Sequence, residues 1–394
     1  MQITSKKLWP ALCIMCVSVF ATASADTYSN NNQPSQMSQS SEMGTYERGS
    51  QRDITPAAGP RVSHGADVFI TADFIWWKAT QEGTRYASTG IAPGESPNST
   101  VQNVPKGNTR SVGRDWSPGF KVGLGLNLDH DGWDLFAEYT WLSPSNSSSV
   151  TNTLEPDTNY GVISLQTPNT DEGPYGNDVD RDNYRWDQAS ANWSLNFNVI
   201  DLELGRNLHL SRFLTLRPFF GLKATWQDQD MNTTLSKASG VDIGFSPNNP
   251  AGPYRIKQSS DVWGIGVRGG FNAAWYMSKN WSFYGDLAIT TMWTDHTDLT
   301  RKDTVSDPTD AVGSTAVMVN IKEDDFYSVK YIGELELGLR YEMWFYDDNY
   351  HFAIQAGWEQ QVWVNWNTFH SLTQPDNWSD LNFQGLNLKF RFDF

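Results

Sequence analysis

Long runs of alternating apolar and polar residues constrain the fold of this chain more than any other feature. The final segment, "GLNLKFRFDF" (385–394), places an apolar side chain at every second position up to Phe394. Similar runs of ten or more residues recur along the chain, whereas an ordinary strand has about five or six residues. A period of two predicts β-strands that have one apolar face and one polar face.

Ten such segments predict ten strands, joined by links that alternate between long and short. The predicted strands lie near residues 66–77, 116–128, 132–142, 191–205, 213–226, 261–276, 281–294, 326–341, 350–364 and 384–394. The long links cover about 78–115, 143–190, 227–260, 295–325 and 365–383. The short links are at most "DHD", "RNLHLSR", "MSKN" and "EMWFYDDN". An even number of antiparallel strands with short turns at one end and long loops at the other is typical of a bacterial outer membrane barrel.

Tryptophans at the ends of the predicted strands distinguish a membrane barrel from a soluble sandwich. A sandwich turns its apolar faces inward, whereas a membrane barrel turns them outward to lipid along about 9–11 residues. The bracketing residues are Trp133 and Trp141, Trp263 and Trp275, and Trp281 and Trp293. Because an indole is stable where it is half wet, these residues predict an aromatic girdle at each membrane interface.

The same alternation predicts which residues face lipid. In "NWSLNFNV" (192–199) the apolar members are Trp193, Leu195, Phe197 and Val199. We therefore expect these four side chains on the lipid-facing side of their strand.

Charged residues on the polar faces of the strands are predicted to line the interior. The pore-lining candidates are Lys121, Glu138, Arg217, Lys223, Arg268, Asp286, Lys330, Glu334, Glu336, Arg340, Glu359 and Lys389. One interpretation is a water-filled path whose wall charges tune selectivity. The alternative is an interior filled by its own salt bridges, because a barrel of about eight strands holds only side chains and wide porins use roughly 16–18. Further strands at 160–166 or 314–321 would widen the barrel.

The aromatic C-terminal segment is predicted to close the barrel. A closed barrel has no free edge, so the last strand must pair with the first. Phe390, Phe392 and Phe394 alternate on the apolar face of the last strand. We expect them to form the signal that the barrel insertion machinery reads.

The first 65 residues are predicted to lie outside the barrel. Residues 1–25 have the features of a signal peptide cleaved after Ala25: Lys6 and Lys7 precede a short apolar run that ends at "ASA". Residues 26–65 are polar and predict a flexible segment, which leaves 66–394 for the barrel. The two cysteines, Cys13 and Cys16, lie inside the signal peptide, which excludes disulfides and thiolate metal sites from the exported chain.

Composition excludes several other classes of function. The formal net charge is −16, which gives no electrostatic footprint for nucleic acid. After residue 25 there is no run of about 20 apolar residues, so no membrane-spanning helix is predicted. No cofactor or metal is predicted, because the histidines (His64, His130, His209, His296, His351 and His370) lack metal-ligand spacing.

Two short motifs resemble a nucleotide-binding site and a catalytic site. "GIGVRG" (264–269) matches the glycine fingerprint of dinucleotide-binding folds, but that motif must open a helix, and here the strand pattern continues. Asp295 and His296 follow the seventh predicted strand, where the ten-stranded omptin proteases place part of an Asp/His site. Their spacing differs from the omptin pattern, in which one residue separates the pair. We therefore predict that the protein is not an enzyme.

Four segments resemble the major outer membrane protein family of Legionella and the environmental chlamydiae. They are "WWKATQEGTRYA" (76–87), "WSPGFKVGLGLNL" (116–128), "DGWDLFAEYTW" (131–141) and "NFNVIDLELGRNLHLSRFLTLRPFFGLKATW" (196–226). The resemblance covers most of 66–394. It implies an abundant pore-forming protein of the bacterial outer membrane that takes part in attachment to host cells, and it supplies no catalytic residues.

Two functions remain open on the sequence alone. The first is a porin that admits small hydrophilic solutes or ions by passive diffusion. The second is a structural and adhesive surface barrel with a plugged lumen, which acts through its external loops on a host-cell surface. In both cases the expected surroundings are outer membrane lipids.

Overall fold

The computed structural model describes residues 68–89, 108–128, 132–151, 162–164, 166, 185–236, 253–306, 315–323, 325–346, 350–367, 369–370 and 379–394. Within these ranges the chain forms seventeen strands and no helix. In chain order they are β1 (Val68–Gln81), β2 (Arg85–Thr89), β3 (Thr109–Ser111), β4 (Trp116–Asn127), β5 (Trp133–Leu142), β6 (Ser145–Thr151), β7 (Val162–Ser164), β8 (Arg185–Trp186), β9 (Gln188–Arg206), β10 (Leu208–His209), β11 (Leu214–Ser236), β12 (Tyr254–Tyr276), β13 (Trp281–Ser306), β14 (Thr315–Glu323), β15 (Phe326–Phe345), β16 (Tyr350–Asn367) and β17 (Ser379–Asp393). The predicted signal peptide and polar segment lie outside the described residues.

Ten of these strands close into one antiparallel barrel. The order around the ring is β1, β4, β5, β9, β11, β12, β13, β15, β16, β17 and back to β1. The closing pair β17–β1 runs over thirteen residue pairs, beginning with Phe69 opposite Asp393. Val68 and Phe394 exchange backbone hydrogen bonds of 3.0 and 3.3 Å, so Phe394 takes part in the closure. The predicted ten-stranded membrane-type barrel is confirmed.

The two extra strand segments singled out in the sequence do form strands, but they do not enlarge the ring. Strand β7, within 160–166, belongs to a separate four-stranded sheet with the order β3-β2-β7-β8. Strand β14, at 315–323, pairs only with the far end of β13. The expectation that these segments would widen the barrel is therefore wrong.

Three consecutive barrel strands, β11, β12 and β13, extend seven to twelve residues beyond the predicted segments at the long-loop end, and the neighbouring β9 extends three. Strands β9, β11, β12 and β13 contain 19, 23, 23 and 26 residues, whereas β4 and β5 contain 12 and 10. The extensions, flanked by β6 and β14, form a six-stranded sheet above the ring. The sequence pattern missed them because they turn few apolar residues outward. On β11, for example, the buried Met231 and Leu235 lie on the inner face, and Asp228 and Asp230 are exposed on the outer face.

A second layer covers the inner face of this extension. Tyr86 and Ala87 of β2 and Trp186 of β8 are buried in one apolar core with residues of β9, β11 and β12. The rings of Trp186 and Tyr254 lie 6.1 Å apart, and the hydroxyls of Tyr86 and Ser148 are hydrogen-bonded at 2.9 Å. The small four-stranded sheet thus packs over the mouth of the barrel at the long-loop end.

The assignment of faces on β9 requires a correction. Trp193, Leu195, Phe197 and Val199 are all 2 % exposed or less and point into the barrel, not towards lipid. The lipid-facing side of β9 is instead the partly exposed series Ile200, Leu202 and Leu204. The prediction failed because the upper half of β9 lies at the mouth, where the inner face is apolar and the outer face meets water.

The predicted girdle and closure residues lie on the outside of the barrel. All six girdle tryptophans turn outward, and Trp275, Trp281 and Trp293 are 54, 47 and 41 % exposed. Phe390 and Phe394 are also exposed, and Phe392 is partly exposed between them. Their roles at the membrane interfaces and in barrel insertion stay predictions.

Candidate functional site

The interior of the barrel is the candidate functional site, because every predicted pore-lining residue turns towards it. None of the twelve is exposed, and eleven of them surround one cavity of about 220 Å³. The exception is Lys330, which lies nearer the long-loop end and donates a hydrogen bond to the backbone carbonyl of Asn365. The sequence therefore identified the lining of the interior, although lining alone does not make a pore.

Ion pairs across the interior link strands that are not neighbours. Lys121 of β4 binds Glu359 of β16 at 2.8 Å, and these strands are three positions apart in the ring. Two other pairs span the same number of strands: Lys223 of β11 binds Glu334 of β15 at 2.7 Å, and Lys389 of β17 binds Glu138 of β5 at 3.0 Å.

Two arginines complete this network, and one of their shared acids, Glu203, was not predicted from the sequence. Arg268 contacts Glu203 and also binds Glu334 at 2.5 Å. Arg217 binds Asp134 at 2.5 Å and Glu203 at 3.0 Å. The omission of Asp201 and Glu203 follows from the wrong face of β9, since both lie on the inner face with Phe197. Their alternation with the outward Ile200, Leu202 and Leu204 was the signal that could have found them.

The cavity wall carries slightly more acid than base. Nine carboxylates and seven lysine or arginine side chains line it, a formal excess of two negative charges. The lining reaches the short-turn end at Asn127, His209 and Trp344, which adjoin three of the short turns. The other end of the cavity meets Phe197 and Val199. The polar space therefore extends towards the short turns.

A layer of five aromatic side chains, the aromatic layer, lies between this cavity and the long-loop end. The ring centroids of Phe197 and Trp363 are 5.3 Å apart, and those of Phe197 and Phe383 are 4.6 Å apart. Trp77 packs on Phe383 at 5.7 Å, and Trp366 packs on Trp363 at 4.6 Å. All five side chains are 1 % exposed or less. These rings, which come from β1, β9, β16 and β17, pack against one another across the barrel.

The two residues of the candidate catalytic pair, Asp295 and His296, lie on opposite faces of β13. Asp295 faces outward and accepts a hydrogen bond of 3.0 Å from the Trp263 indole. His296 faces inward, stacks on Phe326 at 4.3 Å and lies 3.3 Å from the Ser328 hydroxyl. Burial, with a smaller effect of Lys330, lowers the pKa of His296 to about 3. The imidazole, which lies beyond the girdle, is thus held neutral and apart from Asp295.

The glycine motif lies within a strand, and His351 takes part in a cluster of polar contacts. "GIGVRG" lies in the middle of β12 and opens no helix. At the short-turn end, His351 and Asp393 approach to 2.6 Å between Nδ1 and Oδ2, and Arg391 also binds Asp393 at 2.7 Å. Sequence reasoning treated His351 as isolated because its partner lies 42 residues away. His64 and His130 lie outside the described residues.

Neither a metal site nor a membrane-spanning helix is found among the residues that the structure describes. No group of three or more His, Cys, Asp and Glu side chains there has the arrangement to hold a metal ion. In the same part of the chain, no helix has the length and apolar character needed to cross a bilayer.

Comparison with solved structures gives several outer membrane proteins of low similarity. The outer membrane protease OmpT from Escherichia coli is 12 % identical, with 83 % of this chain and 97 % of that chain covered and a TM-score of 0.32. The Pseudomonas putida toluene transporter TodX is 10 % identical (84 and 90 % covered, TM-score 0.27). The attachment invasion locus protein Ail of Yersinia pestis is 7 % identical (82 and 97 % covered, TM-score 0.20). At these scores the likenesses carry no argument about function.

Comparison with sequence families gives a decisive result. The family model of the Legionella pneumophila major outer membrane protein precursor matches residues 60–394, and no curated protein matches the sequence. The chain therefore belongs to the Legionella major outer membrane protein family, and it resides in the bacterial outer membrane. In such barrels the short turns face the periplasm and the long loops face the outside.

Proposed function

We propose that this member of the Legionella major outer membrane protein family is a structural surface barrel with a closed lumen, which acts through its extracellular sheets. The observation that carries the proposal is the contact between Phe197 and Trp363. These residues belong to β9 and β16, which are five positions apart in either direction around the ten-stranded ring. Two rings from opposite walls in contact leave no central path between them.

The charges below this layer add a second obstacle to permeation. Three ion pairs each join strands that are three positions apart in the ring: Lys121–Glu359, Lys223–Glu334 and Lys389–Glu138. Breaking one member of a buried pair costs about 3–5 kcal/mol, because it leaves the other charge uncompensated. These pairs therefore narrow the polar half of the interior, whereas the aromatic layer closes it.

The extracellular side offers the surface through which such a barrel would act. The six-stranded extension and the four-stranded sheet form two packed layers beyond the girdle. Arg301, which is 1 % exposed, fixes parts of two loops to these layers by donating hydrogen bonds to the carbonyls of Gln166 and His370 at 2.8 and 3.0 Å. An ordered surface of this kind supports adhesion better than solute uptake.

The porin function predicted from the sequence remains the second candidate, and the polar cavity favours it. The cavity reaches the periplasmic end, and its excess of two negative charges would favour cations if the outer layer opened. The prediction of a pore therefore depends on movement of the aromatic layer.

Liposome swelling separates the two candidates. Liposomes that contain the folded protein should admit neither small sugars nor amino acids. Liposomes that contain a general porin, assayed in parallel, should admit both. Rapid swelling of the liposomes would reject the closed-lumen proposal in favour of the porin. For the adhesive role, replacing 160–186 by a short Gly/Ser linker removes β7 and β8 and should reduce attachment of bacteria to host cells. Undiminished attachment of a folded deletion variant would reject that role.

A further inference from the structure

Two lysines face each other on the outer surface of the tall extension. Lys257 of β12 and Lys302 of β13 are direct partners in the antiparallel register, and both are exposed on the outward face. Like charges directly opposite each other destabilise a sheet. Neither lysine forms an ion pair with any residue in the described part of the chain. The pair is therefore a cost to the fold that a bound anion would relieve.

Two further cations extend the pair into a stripe across three strands. Arg255 lies two residues from Lys257 and is also exposed. Lys322 of β14 lies opposite Thr300 of β13, with its side chain 66 % exposed and 3.7 Å from Asp298. We call Arg255, Lys257, Lys302 and Lys322 the cationic stripe. It faces sideways from the barrel, in the direction of the surrounding membrane, on a chain whose net charge is strongly negative.

An aromatic cluster lies below the stripe on β12, β13 and the neighbouring β15. The rings of Trp263 and Trp293 are 5.3 Å apart, and Tyr327 stacks on Trp293 at 5.0 Å. Below the cluster, the outward side chains Val267 and Ile289 are 67 and 62 % exposed, as expected for contact with lipid chains. From the membrane outward, this side of the barrel thus presents an apolar zone, an aromatic zone, a row of three outward aspartates (Asp228, Asp261 and Asp298) and the cationic stripe.

The height of the stripe selects the kind of lipid. Lys257 lies six residues beyond Trp263, which is about 20 Å along the strand at roughly 3.3 Å per residue. For a strand tilted by about 40°, the rise above the girdle is about 15 Å. The headgroup region of a phospholipid bilayer is only about 5–8 Å thick on each side. A phospholipid phosphate is therefore too low, whereas an extended acidic saccharide reaches the stripe.

We propose that this face of the barrel binds an anionic glycolipid of the outer leaflet. Its acyl chains would lie along Val267 and Ile289. Its sugars would pack on Trp263, Trp293 and Tyr327 and donate hydroxyl hydrogen bonds to the aspartate row above them. The acidic groups of its saccharide would bind the cationic stripe, chiefly Lys257 and Lys302. Stacking of sugars on aromatic rings and charge pairing of this kind do not depend on whether the lumen conducts.

The test compares two double variants of the full chain, folded in detergent micelles. Lys257→Gln/Lys302→Gln removes the opposed pair, and Arg212→Gln/Lys279→Gln removes two exposed cations at the short-turn end. The probe is a rough-type lipopolysaccharide with acidic inner-core sugars, and its binding is measured by native mass spectrometry. Loss of two lysines should weaken binding roughly tenfold to thirtyfold. The control variant should bind like the original chain.

Two further measurements keep the proposal open to rejection. The Lys257→Gln/Lys302→Gln variant should unfold at the same temperature or higher, because a repulsion has been removed, and phosphatidylglycerol should bind all three proteins equally. Unchanged lipopolysaccharide binding, or an equal loss in the control variant, would overturn the proposal. So would a stripe-dependent affinity for soluble heparin without any for the glycolipid, since that result would assign the stripe to a soluble polyanion.

Discussion

Phe197 and Trp363 touch across the full width of the barrel, with ring centroids 5.3 Å apart, although their strands stand on opposite sides of the ring. This contact divides the interior into a polar half that reaches the periplasmic turns and an apolar half beneath the extracellular sheets. The interior is therefore asymmetric along the axis of the barrel. The first predictions follow from this asymmetry.

Thiol labelling should show that the aromatic layer blocks access from outside. The only cysteines are Cys13 and Cys16, so a single cysteine placed at Thr215, in the cavity lining near the periplasmic end, can be labelled selectively. On intact cells, an impermeant maleimide should not reach Thr215→Cys. It should react once Phe197→Gly and Trp363→Gly are added. Lys302→Cys, exposed on the extracellular sheet, is the positive control, and labelling of Thr215→Cys without the glycine substitutions would contradict the layer.

Removal of one partner of a buried ion pair should destabilise the barrel more than removal of both. Lys121→Met leaves Glu359 and Glu138, 2.8 and 4.0 Å from the lost ammonium, without their shared cation. We expect a loss of about 3–5 kcal/mol in the free energy of unfolding, measured by urea titration in micelles. The double variant Lys121→Met/Glu359→Met should recover most of this loss. Equal destabilisation by the single and double variants would argue against a coupled pair.

A charge on the lipid-facing side should also be costly, but only within the membrane. Val267 is 67 % exposed on the outside of β12, well inside the girdle. Val267→Arg should lower the free energy of unfolding in lipid vesicles by about 2–4 kcal/mol. Asn192→Arg, on the outer face of β9 beyond the girdle and opposite the neutral Asn232 and Ser147, should change it by less than about 0.5 kcal/mol. Similar costs at both sites would show that the membrane boundary is misplaced.

The last residue should matter for assembly more than for the finished barrel. Phe394 contributes backbone hydrogen bonds to Val68, which any residue can supply, and an exposed aromatic ring, which only a few can. Phe394→Ser should therefore reduce the amount of folded protein in the outer membrane, seen as the heat-modifiable band on gels. Phe394→Tyr should restore it. Normal assembly of Phe394→Ser would remove the basis for an aromatic insertion signal.

The sequence predicts the membrane-embedded part of this protein well, because lipid imposes one simple rule there. Between the girdles charged residues are costly on the outward face and most outward residues are apolar, so alternation reveals strand, face and partner position together. Strands β4 and β15 begin at the predicted residues, and the closure of β17 on β1 follows from it.

Prediction fails where water replaces lipid outside the barrel. On β9 the apolar residues lie on the inner face up to Val199, which is buried, and on the outer face from Ile200 onward. Because Val199 and Ile200 are adjacent and both apolar, the sequence does not show that the apolar residues change from one face of the strand to the other. Contact of Phe197 with Trp363 is even less accessible to sequence reasoning, since it depends on closure of the barrel and joins residues 166 positions apart. Pattern alone could thus identify the lining of the interior but not its closure.

Single-channel conductance of the purified, folded protein in a planar bilayer tests the closed lumen most directly. With folding shown by circular dichroism, we expect no discrete current steps from the unmodified chain at any salt concentration. We expect steps from the Phe197→Gly/Trp363→Gly variant under the same conditions. Discrete steps from the unmodified protein that grow in proportion to salt concentration would mean a continuous aqueous path and would contradict the closed barrel.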